Sequence, residues 1–124
     1  MKDGRPLDGV KVLIVEDEAF IAMAITDKLA EAGADVIDHA LTLADAEMAV
    51  REDDYQVAIL DLRLPDGDAN MLARTLTDLG TGIVFHSGHG EIERLKTEFP
   101  EARACRKPCR FSEFVDVIRE MLGR

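Results

Sequence analysis

The chain has 124 residues, 47% of them hydrophobic and 32% charged, which fits one globular domain with one core and excludes a disordered chain. A formal net charge of −10 argues against nucleic acid or an anionic membrane as partner, since both require clustered Lys and Arg. No apolar run reaches bilayer length, no secretory segment opens the chain, and Cys105 and Cys109 make no disulfide framework, so a cytoplasmic protein is expected.

Residues 1–9, "MKDGRPLDG", are polar and read as a flexible lead-in, with the domain running over 10–124. "VKVLIV", Val10 to Val15, is aliphatic at nearly every position and predicts a buried parallel strand. "EAFIAMAITDKLAEAG" follows, with Ile21, Ile25 and Leu29 four apart and Gly33 as a stop, which predicts a helix. "DVIDHA" is a weaker strand, and Thr42 caps a helix over "LADAEMAVRED". "QVAILDL" is a second buried strand, broken by Pro65 and Gly67 before a helix that ends at Gly80. "GIVFHS" predicts a strand, "EIERLKTEF" a helix stopped by Pro100, "EARACRK" the last strand, and "FSEFVDVIREML" a last helix with Phe111, Phe114, Val115, Ile118 and Leu122 on one face.

Strand then helix, five times over, predicts an α/β fold with a parallel sheet covered on both faces. Ligands of such sheets bind beyond the carboxyl ends of the strands. Glu16, Asp17 and Glu18 follow the first strand, Asp61 the third, Ser87 and Gly88 the fourth, and Lys107 and Pro108 the fifth. Carboxylates gathered there repel one another unless a cation joins them, and Mg²⁺ prefers such oxygen ligands. Lysine supplies positive charge, the serine a hydroxyl donor, and one carboxylate a nucleophile. Together they suit phosphoryl transfer.

"LIVEDE", "AILDLRLPDG", "FHSG" and "RKP" resemble, in order and spacing, the four motif segments of the response-regulator receiver family of two-component signalling. The resemblance spans about Val10 to the last helix. It implies a flavodoxin-like, doubly wound sheet of five parallel strands, (βα)5. It implies that Asp61 takes a phosphoryl group from the phospho-His of a histidine kinase or phosphotransfer protein. Asp17 would bind Mg²⁺ directly, Glu16 would help hold it, and Arg63 would offer its backbone carbonyl. Lys107 would pair with the phosphoryl oxygens, and Ser87 would move to report their presence. Arg63 and His89, each two residues beyond a key position, would tune the lifetime of the acyl phosphate. The implied output face runs over about residues 91–124. The length leaves no output domain, so a stand-alone receiver is expected to act through a partner protein, a homodimer or a relay.

Two departures stand out. Glu16 replaces the commoner Asp, which a longer arm accommodates. Ala104 occupies the place, three before Lys107, where the family usually carries an aromatic switch residue. Alanine has no rotamer to switch, so either backbone movement carries the signal or another side chain does, with His86 and His89 as candidates. The alternative is a degenerate receiver acting as a phosphorylation-independent binding module. A metal-dependent phosphohydrolase is disfavoured by small size and the lack of a cap. Taken singly, Asp61 and Ser87 could be turn residues and Lys107 a surface lysine; Glu18 reads only as first-turn charge. His86, His89, Cys105 and Cys109 fall at spacings zinc can use. Yet Cys105 also fits an apolar strand as a small hydrophobe, and zinc there would crowd Lys107, so the cysteines read as structural.

Overall fold

The computed structural model describes residues 5–88 and 90–124. The elements are β1 (Lys11–Val15), α1 (Ala19–Glu31), β2 (Asp35–Ala40), α2 (Leu43–Glu52), β3 (Val57–Asp61), β4 (Arg63–Leu64), β5 (Gly67–Asp68), α3 (Asn70–Asp78), β6 (Gly82–Ser87), α4 (Ile92–Glu98), β7 (Arg103–Arg106) and α5 (Ser112–Leu122). Five strands form one sheet in the order β2-β1-β3-β6-β7, all parallel. This is the expected flavodoxin-like sheet. β4 and β5 form a small antiparallel ladder of their own, where the sequence signalled only a chain break.

The period of two along each strand sorts the apolar residues into two layers. Leu13, Val15, Ala58, Leu60 and Phe85 face α2, α3 and α4, joining Ala46, Leu72, Leu76 and Leu95. Val12, Ile14, Val57, Ile59, Val84 and Cys105 face α1 and α5, joining Ile25, Leu29, Phe114 and Ile118. All five residues of β3 are buried. That is why its sequence shows no alternation.

Local chemistry sets the ends of the elements. The Thr42 hydroxyl accepts the Asp45 N–H at 3.1 Å and caps α2 as expected. Gly33 follows α1 at φ +97°, and a Cβ there would come within 3.0 Å of the Asp8 backbone, so both conformation and space demand glycine. That close approach ties residues 7–9 to the end of α1. Leu7 is fully buried, its N–H donates to the Ala32 carbonyl at 2.8 Å, and Gly9 N–H donates to the Gly33 carbonyl at 3.1 Å.

Strand order places the chemistry. The chain runs outward from β1 to β2, then returns to β3 on the other side of β1. A crevice opens at such a reversal, beyond the carboxyl ends of β1 and β3. Glu16 and Asp17 follow β1, and Asp61 ends β3.

Candidate functional site

Glu16, Asp17 and Asp61 each bring a carboxylate oxygen within 4.8 Å of the others. Asp61 is 7% exposed and Glu16 1% exposed, while Asp17 is open to solvent. Lys107 Nζ reaches in from the loop after β7 and donates to Asp61 Oδ2 at 3.0 Å. Its loop is held by the Lys107 N–H bond to the Ser87 carbonyl, 2.8 Å long. The Arg63 N–H donates to Asp61 Oδ1 at 3.3 Å. Both oxygens of Asp61 are therefore oriented before anything binds, one by an ammonium and one by the backbone.

The electrostatics are those of a site short of positive charge. Burial raises the Glu16 pKa, and Asp61 and Asp17 add to the rise against the opposing influence of His86. Burial pulls the Lys107 ammonium down, but Asp61, Glu16 and Asp17 outweigh it and hold the net pKa above its ordinary value. Glu16 Oε1 is buried without a hydrogen-bond partner among the described residues. A buried acceptor left so is costly. Three oxygen donors, one of them orphaned, fit a small hard cation such as Mg²⁺.

His86 is the second orphan. Among the described residues its Nδ1 is buried without a hydrogen-bond partner, and it lies 3.7 Å from Glu16 Oε1, beyond hydrogen-bond length. Its ring meets Phe114 of α5 edge-on, with centroids 5.1 Å apart and planes at 87°. The residue thus spans from the acidic pocket to a core helix.

Of the other expected site residues, Ser87 is buried at the end of β6, in register with Arg106 of β7. The Arg63 side chain is tied to Glu91 through Nη2 at 2.6 Å and Nε at 3.1 Å. His89 lies outside the described residues. Ala104 sits on the opposite face of the sheet from His86, packed with the layer that holds Phe85 and Leu95. Phe85 is its cross-strand partner and lies 5.6 Å from the Phe99 ring. The zinc spacing does not assemble as the sequence allowed, because Cys105 and Cys109 gather with Glu113 and not with His86.

Asp66 carries a role that sequence reading missed. Its Oδ1 and Oδ2 accept the Leu43 and Ala44 N–H groups at 2.8 and 3.0 Å. The carboxylate caps the N-terminus of α2 from 22 residues away, and these bonds depress its pKa. The acid-rich turn after β3 therefore serves two purposes. Asp61 faces the pocket, and Asp66 fastens a helix.

The sequence model of the response regulator receiver domain matches residues 12–119. The chain belongs to this family. A receiver domain is a signalling module rather than a conventional enzyme, and the position of Asp61 at the sheet reversal agrees with that membership. The probable transcriptional regulatory protein SilR of Salmonella typhimurium is 32% identical over 119 residues, covering 93% of this receiver and 52% of that protein. The chain therefore spans about half the length of the curated relative it matches. The crystal structure of a response regulator receiver protein from Sinorhizobium medicae superposes with a TM-score of 0.81 at 22% identity, covering 93% of this chain and 95% of that one. The solution structure of SdrG from Sphingomonas melonis gives 0.75 at 26% identity, with 94% and 98% covered. No helix among the described residues is long and apolar enough to cross a membrane.

Proposed function

We propose that this receiver domain is switched by phosphorylation of Asp61. The observation that carries the reading is the placement of Asp61 at the sheet reversal, with Lys107 on one oxygen and the Glu16 and Asp17 carboxylates alongside. The donor is the phospho-His of a histidine kinase or a phosphotransfer protein. An Asp61 oxygen attacks phosphorus, the N–P bond breaks, and the imidazole leaves with the electron pair. Lys107 moves from the carboxylate to the phosphoryl oxygens, and the Ser87 hydroxyl donates to one of them. Asp17, Glu16, Asp61 and the Arg63 carbonyl would hold Mg²⁺, which would offset the charge developing on the transferred group. Arg63 and, by the family resemblance, His89 tune the lifetime of the product, and the grip of Glu91 on Arg63 limits how far that guanidinium reaches.

The phosphoryl group adds roughly −1.5 to −2 charge at the sheet edge. With Ala104 in place of an aromatic, His86 is the side chain that carries this change inward, from Glu16 to Phe114 of α5. The output face over residues 91–124 then meets a partner protein or a second copy. Its described surface holds ion pairs such as Arg94 with Glu91 and Glu98, which suits a polar partner.

Incubation with Mg²⁺ and acetyl phosphate tests the reading. A mass gain of one phosphoryl group is expected, lost on chelation and absent in Asp61→Asn. No gain in the wild type would favour a constitutive binding module, the reading for which Ala104 speaks.

A further inference from the structure

Cys105 lies in β7 and is buried in the layer beneath α1 and α5. Cys109 follows the Lys107–Pro108 turn and is half-buried, and Glu113 stands in the first turn of α5. The chain thus comes back on itself so that two Sγ atoms and a carboxylate oxygen all lie within 4.8 Å of one another. Burial pushes the Cys105 thiol up to about 12, with Cys109 and Glu113 adding to the rise. Burial and Glu113 also raise Cys109, against the opposing influence of Cys105 and Lys107. Lys107, whose charge favours the Cys109 thiolate, is itself engaged by Asp61 at 3.0 Å.

We propose that Cys105, Cys109 and Glu113 form a binding site for a borderline-soft divalent cation of the Zn²⁺ type. Zn–S bonds of about 2.3 Å place tetrahedral sulfurs about 3.8 Å apart, so the cluster need contract by only about 1 Å or less. Two thiolates select against Mg²⁺, which prefers hard oxygen ligands. On binding, both S–H bonds ionise, two metal–sulfur bonds form, and the two protons pass to solvent. Cys109 also lines a cleft of about 390 Å³ shared with Glu18, Ile21, His86 and Phe111. That cleft gives the ion an entry path and leaves its fourth position open to water or a further ligand. Its three ligands are distinct from the carboxylates of the Asp61 pocket, while Lys107 and His86 line the cleft beside both.

The test uses the full chain, reduced and stripped of metal, with excess Mg²⁺ to occupy the carboxylate pocket. Titration with Co²⁺ should give one equivalent of binding and a thiolate-to-cobalt charge-transfer band, which Zn²⁺ then bleaches. Cys109→Ser should cut the band and weaken binding about tenfold or more, since loss of even an outer partner typically costs that much. Cys109 is the better choice of cysteine because Cys105 is a core residue whose loss could unfold the chain. Glu113→Gln should weaken binding while keeping the band, and Asp61→Asn should change neither. Zn²⁺ should raise the melting temperature of the wild type but not of Cys109→Ser. Absence of the charge-transfer band at stoichiometric Co²⁺ would overturn the proposal. So would an unchanged affinity in either Cys109→Ser or Glu113→Gln.

Discussion

His86 and Asp66 show how much two polar side chains can settle. His86 is wedged between a carboxylate it does not quite reach and the edge of Phe114. His86→Phe keeps a ring against Phe114 and removes the nitrogen facing Glu16. We expect that variant to take up phosphoryl from acetyl phosphate as the wild type does. Its phosphorylation-induced amide shifts along α5, followed by NMR, should be largely lost. Undiminished shifts would assign the relay elsewhere. Asp66 acts on stability instead. Its helix-capping bonds depress the folded pKa below the ordinary 3.8. On acidification the unfolded chain therefore takes up that proton first, and stability falls as pH drops below 3.8 through the folded value. Asp66→Asn should melt a few degrees lower than the wild type at pH 7. The gap should close as pH falls through that window, a trend thermal melts across pH can follow.

At the scale of elements, α1 begins two residues after Asp17 and presents Phe20, which is 87% exposed, and Met23, which is half-exposed. On the proposed phosphorylation of Asp61 by a protein donor, these two exposed side chains on the helix that follows Asp17 are candidates for contact with that donor. Phe20→Ala should slow phosphoryl transfer from a phosphorylated donor protein about tenfold, as loss of an aromatic anchor typically does. The rate from acetyl phosphate should not change, because the small donor has no need of the anchor. Equal slowing of both would mean that Phe20 shapes the pocket rather than the docking. The other elements were unequally legible. β1 and β3 could be read because both are apolar on consecutive positions, the first followed by Glu16 and Asp17 and the second ending on Asp61. The pairing of β4 with β5 could not, since two-residue strands have no periodicity to detect. Nor could the capping of α2 by Asp66, which depends on proximity that only the fold creates. Cys105 reads as a small hydrophobe within a strand and Cys109 as a residue just after the Lys-Pro turn. That holds for burial in β7, but gave no hint of Glu113, which arrives from the next helix.

Across the whole molecule, two apolar layers fill both faces of the sheet and the polar chemistry collects along one edge. The alternation of strands and helices made this architecture readable, together with the edge on which Asp17, Asp61 and Lys107 meet. Strand order was not readable from periodicity, and it is what brings β1 and β3 together. The burial of Glu16 also bears on global stability. Its folded pKa is raised, so the folded state disfavours its charge, and stability declines as pH climbs through that raised value. Without added Mg²⁺, Glu16→Gln should therefore melt higher than the wild type at pH 8. The difference should shrink at pH 4, where the glutamate is largely protonated. Saturating Mg²⁺ should narrow or reverse it, because the cation then favours the charged side chain.

The unpartnered oxygen of Glu16 thus works like a cocked spring. On the proposed phosphorylation switch, the resting molecule gives up some resistance to heat to keep that oxygen available for the cation. Engineering that relaxed the spring would yield a sturdier but deafer protein.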